Sequence, residues 1–75
     1  MQYRMTKYGW SCATGCYDNP EKRSEYLTAK QARARVNRLP DTTRHFWSVG
    51  KYTEGDFPEL VDSINADALH DGWID

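Results

Sequence analysis

The chain has 75 residues, 39% of them hydrophobic and 13% aromatic, with a formal net charge of −1. A chain this short fits one small domain over residues 1–75. It buries only about 60% of the surface it exposes when unfolded, so its core must be thin. The aromatic content argues against disorder. There is no apolar run of about 18 residues to cross a membrane. The opening MQYRMTKYGW lacks a secretory apolar stretch, so no membrane association and a cytoplasmic location are expected.

The first segment, QYRMTKYGWSC, is rich in strand-compatible residues. Tyr3 and Met5 share one parity and Tyr8, Trp10 and Cys12 the other. The change near Lys7–Gly9 predicts a bulge at Gly9 or a tight turn there. ATG and DNPEK carry turn chemistry: Gly15 tolerates positive φ, and Asn19-Pro20 favours a reversal. A short strand around Arg23–Leu27 would then close a hairpin.

TAKQARARVNRLP is the clearest element. Thr28 and Gln31 have capping-box spacing, Ala29, Ala32, Val36 and Leu39 form one stripe, and Pro40 ends the run. A helix over roughly Ala29–Leu39 is predicted. HFWSVGKYT reads as a strand over residues 45–53, with His45, Trp47 and Val49 on one face and Phe46, Ser48 and Tyr52 on the other. Apolar groups on both faces point to a central strand or one covered on two sides.

DFPELVDSINA reads as a second helix. Asp56 and Glu59 make an Asp-x-x-Glu box, Pro58 suits a first turn, and Phe57, Leu60, Val61, Ile64 and Ala68 share a face. That pattern fails at about Ala66–Ala68, and Gly72 permits a reversal. The expected fold is α+β: an antiparallel sheet of about three strands, one packed helix and a shorter acidic C-terminal helix. Trp47, Val49, Val36, Leu39 and Leu60 are the expected core.

Candidate chemistry is sparse. Cys12 and Cys16 have C-x3-C spacing, but His45 and His70 are far apart and belong to no paired motif, so no metal site is expected. The same separation argues against a Cys–His nucleophile. The bland reading of the two cysteines is a pair of buried or half-buried thiols beside a turn. The carboxylates follow capping and helix-surface positions. Neither catalytic residues nor a cofactor are expected, and the chain reads as a non-enzyme.

The informative feature is charge segregation. Residues 1–51 hold all ten basic residues and four acids, a balance of 10 − 4 = +6, whereas residues 52–75 hold seven acids and no base. Two binding surfaces follow. Acids interleaved with apolar groups in the last third, at Asp62, Asp67, Asp71, Trp73 and Asp75, fit recognition of a protein partner with a basic surface. Trp73 itself reads as folded back onto the core rather than exposed. The alternative is nucleic-acid binding through Lys30, Arg33, Arg35 and Arg38 on the basic helix 29–39, with Arg44 and the aromatic strand 45–53 beside it. The order hairpin, helix, strand in so small a chain is shared by many small binding proteins, compact phage-encoded inhibitors among them. By that analogy of fold and size alone, the first expectation is an interaction protein of the accessory or inhibitor kind.

Overall fold

The computed structural model describes residues 1–73, with Trp73 placed by its backbone alone. The side chain of Trp73, together with Ile74 and Asp75, lies outside the described residues, as do the expectations that concern them.

The fold is α+β. Strand β1 spans Gln2–Ser11 and β2 spans Cys16–Arg23. Helix α1 (Ala29–Arg38) and the short helix α2 (Asp41–Arg44) follow, then β3 (Trp47–Tyr52), β4 (Leu60–Asn65) and helix α3 (Ala66–Trp73). The sheet has four antiparallel strands in the order β2-β1-β3-β4, one more than the sequence predicts.

Strand β1 runs through Gly9 without a turn, and the bulges near Gly9 fall on β2 and not on β1, which corrects the sequence reading. Its register with β2 shifts between Lys7 and Tyr8 and again between Gly9 and Ser11, and each time the extra residue lies on β2. The turn before β2 contains Gly15 at φ 69°, the positive value expected there. The DNPEK segment corrects the sequence reading, because it is strand and not turn. Pro20 is tolerated in β2 because an edge strand needs no ladder donor on its outer side. Residues 24–27 form no strand. Leu27 bridges to Tyr3, and the Ser24 N–H donates to Met5 O at 2.8 Å.

Helix α1 matches its prediction closely. Thr28 Oγ1 accepts the Gln31 N–H at 3.2 Å, and Gln31 Oε1 accepts the Thr28 N–H at 3.0 Å. The two bonds satisfy donors that a helix start otherwise leaves open. Thr28→Ala should therefore cost about 1 kcal/mol in a urea melt, and an unchanged midpoint would show that the box is idle.

The larger correction concerns residues 56–65. No helix forms there. Leu60–Asn65 pairs with β3 as an edge strand, with a register shift between Lys51 and Tyr52. A strand as buried as β3 cannot leave one row of its backbone groups unpaired, and the β-branched Val61 and Ile64 suit the extended form. The C-terminal helix begins later, at Ala66, where Asn65 Oδ1 accepts the Asp67 N–H at 2.9 Å as an N-cap. Gly72 lies inside that helix and makes no reversal.

Residues paired across β1 and β3 point to one side of the sheet, so Met5 with Val49 and Lys7 with Trp47 share a face. That face carries α1 and α3. The core consists of Met5, Leu27, Ala32, Val36, Val49 and Ala66, with Tyr3, Leu39, Trp47 and Leu69 half-buried against it. Val36 and Val49 are central, as predicted. Leu60 is not in the core, since the strand that carries it is exposed along its length. With extents of 34 × 31 × 17 Å the body has room for two layers, so no third layer covers the far side of the sheet.

Candidate functional site

The acidic third of the chain occupies the β4 edge and the helix that continues from it. All six residues of β4 are exposed. Leu60 is 57% exposed, Val61 54% and Ile64 39%, and Phe57, just before the strand, is 91% exposed. The sequence reading placed these four side chains on the buried face of a helix. The structure instead presents them at an open sheet edge.

The acids surround this edge. Asp62 lies within β4, Glu59 precedes it, and Glu54 and Asp56 lie in the loop from β3, all of them exposed. Asp62 Oδ1 accepts the N–H of Ser63 at 2.8 Å, so its carboxylate satisfies a backbone donor of the strand itself. Thr53 fixes the loop that enters β4. Its Oγ1 accepts the Glu59 N–H at 2.9 Å, and its own N–H donates to Glu59 O at 3.0 Å. On the open face Tyr52 and Leu60 lie over Gly50, where a Cβ would stand 2.7 Å from the Tyr52 ring.

The other sequence-predicted acids differ among themselves. Asp67, in the first turn of α3, is half-buried and lies 3.9 Å from Arg44 Nη1. Asp71 is exposed on the same helix. Trp73 belongs to α3, and its side chain, like Asp75, is outside the described residues.

The basic residues also divide. Lys30, Arg33, Arg35 and Arg38 are exposed on α1, off its apolar stripe. Arg35 pairs with Glu25. A hydrogen bond from its own backbone outweighs desolvation, which acts the other way, and with the charge and hydrogen bond of Arg35 it holds the Glu25 carboxyl below the usual carboxylate range. Arg44 corrects the sequence reading, because it is buried and takes no part in an exposed basic face. Its Nη2 donates to Leu39 O at 3.0 Å and lies 2.8 Å from Asp41 Oδ1. The guanidinium thus ties the end of α1 to α2 and to the start of α3, and its Nε has no hydrogen-bond partner among the described atoms.

Cys12 and Cys16 are free and exposed, which corrects the expectation of buried thiols. Cys16 Sγ donates to Thr14 Oγ1 at 3.3 Å in the β1–β2 turn. His45 packs on Phe46 with ring centroids 4.0 Å apart, while His70 Nδ1 meets Asn37 Oδ1 at 3.0 Å. Among the described residues no three His, Cys, Asp or Glu side chains are grouped to hold a metal ion. No helix among them is long and apolar enough to cross a membrane.

Sequence reasoning missed Phe57, Leu60, Val61 and Ile64 as surface residues, and it passed over Lys22 and Arg23 on β2. The signal for β4 was present in Asn65, a good N-cap placed directly before Ala-Asp-Ala-Leu. Compared with known protein families, with curated proteins and with solved structures, the chain matches none.

Proposed function

We propose that this chain is a non-enzymatic interaction protein that binds a protein partner by accepting a basic, extended segment of that partner alongside β4. The observation that supports this most is β4 itself, an edge strand whose six residues are all exposed. An edge of this kind offers backbone groups for pairing, and its alternating side chains set specificity. Leu60, Val61 and Ile64 supply apolar contact area.

Charge selects the occupant. Glu54, Asp56, Glu59 and Asp62 cluster at or before the strand, and no base follows Lys51. Two copies of β4 set side by side would bring acids against acids, which is unfavourable directly across a strand pair. A strand bearing Lys or Arg removes that repulsion and gains electrostatic steering during approach. Acidic edges also keep monomers from pairing with themselves. The two roles coincide, because a charge that repels a like edge attracts an unlike one. By covering a basic strand of a larger protein, a chain of this size acts as an inhibitor or accessory subunit.

The test is a titration at low salt with a peptide as long as β4 that alternates arginine and valine, compared with one that alternates glutamate and valine. The arginine peptide is expected to bind and to weaken as salt is raised. Equal binding of the two peptides, or binding of neither, contradicts the reading.

A further inference from the structure

On the opposite side of α1 from α3, a cleft of about 390 Å³ opens between α1 and the β1–β2 hairpin. Its volume falls within the range of small-ligand sites, about 300–1,000 Å³. The floor is apolar and partly aromatic, made by Met5, Leu39 and Trp47. Trp47 packs against the core and also lines this cleft. The rim is cationic: Lys22, opposite Lys7 on the helix-bearing face, comes from the end of β2, and Arg35 and Arg38 from the last turn of α1, while Arg23 borders the cleft from a strand position that faces the other side with Thr6. Glu25 is the one acid in the lining, so the balance there is 4 − 1 = +3. Glu25 is committed to Arg35, whereas Lys22, Arg23 and Arg38 have no ion-pair partner among the described residues.

We infer that this cleft binds a nucleotide, either free or as one residue of a single strand, with its phosphate on the Lys22–Arg38 rim and its ring toward Trp47. The rim suits phosphate because guanidinium groups present forked donors to its oxygens, and an ammonium adds a compact charge. An aromatic floor beneath such a rim is the pairing of features that holds bases by stacking while cations track the backbone. A solvated helix face explains the charges of α1 alone. It does not explain why Lys22 of β2 stands with Arg35 and Arg38 of α1 around an apolar floor. The site is separate from the β4 edge, which lies at the other end of the strand order.

The experiment is an amide NMR titration of the whole chain at low salt with three probes: adenosine monophosphate, inorganic phosphate and single-stranded oligothymidylate. Shifts are expected at residues 22–25 and 35–39 and at the Trp47 indole, with inorganic phosphate the weakest of the three. Binding of the mononucleotide as tight as that of the strand identifies a free nucleotide as the ligand, and preference for the oligomer identifies the strand. Lys22→Glu with Arg38→Glu should weaken either about tenfold or more, while Lys30→Glu on α1 should change it less than about twofold. One phosphate held on the rim implies roughly a threefold loss of oligomer affinity between about 50 and 200 mM salt. Equal weakening by Lys30→Glu would reduce the effect to diffuse surface charge and overturn the site. Shifts confined to other residues, or no binding of either nucleotide probe at low salt, would overturn it as well.

Discussion

Met5→Ala is expected to lower the unfolding free energy by about 2–5 kcal/mol. Met5 is 2% exposed and sits where β1 meets β3, opposite Val49. It also lines the floor of the cationic cleft. The core around it is small, and Val36 is its largest fully buried side chain. A thin core has few neighbours able to move into a vacated volume, so the cavity cost adds to the lost transfer energy. Domains of ordinary stability unfold at about 5–15 kcal/mol, and a chain this short belongs at the lower end. The substitution therefore removes a large share of the margin. Urea melts of both proteins give the answer, and a loss below about 1 kcal/mol would show that Met5 is not the centre of the core.

Reversing charge at the sheet edge should have a large effect of another kind. Glu59→Lys with Asp62→Lys is expected to weaken binding of the arginine–valine strand peptide about tenfold or more, chiefly through slower association. Stability should change little, because both side chains are exposed and exposed charges are worth about 0–1 kcal/mol each. Asp67 and Asp71 supply the contrast. Asp67 stands near Arg44 as an internal brace at 3.9 Å. Asp67→Asn with Asp71→Asn should therefore leave peptide capture nearly unchanged and lower stability slightly, more so at low salt where screening is weak. If this pair abolished capture while the edge reversal did not, recognition would belong to α3 and not to β4.

The fold was legible where local signals agreed with one another. Thr28 and Gln31, the Ala32–Val36 stripe and Pro40 all define α1, and the structure follows them. Sequence reasoning failed where tertiary pairing overrode a local pattern. Phe57, Leu60, Val61 and Ile64 sit at spacings that fit a helix face, and Asp56, Pro58 and Glu59 imitate a helix start. The exposed side of β3 needed a partner, and Leu60–Asn65 supplied it. The break in the helical pattern at Ala66–Ala68 was a true boundary, read as the end of a helix when it marks the start of one. Pro20 misled in the same way, because only the strand order reveals that β2 is an edge.

The exposure of the charged residues was legible in outline. Segregated charge in the sequence pointed to an acidic recognition surface and a basic one, and Lys30, Arg33, Arg35 and Arg38 lie exposed on α1. The sequence held no sign that Arg44 turns inward to Leu39 O and Asp41, since burial of an arginine depends on the packing of α2. Nor did it join Lys22 and Arg23 to Arg35 and Arg38, because these residues meet only after the hairpin folds against the helix.

Amide hydrogen exchange across β4, with and without the arginine–valine peptide, tests the central proposal most directly. Edge amides whose partners are solvent exchange through local opening, and a strand added alongside them slows that exchange. The account predicts added protection within residues 60–65, alternating along the strand, and little change in α1 or β2. Protection confined to α3 or to the β1–β2 hairpin, with the β4 amides exchanging as before, would contradict it.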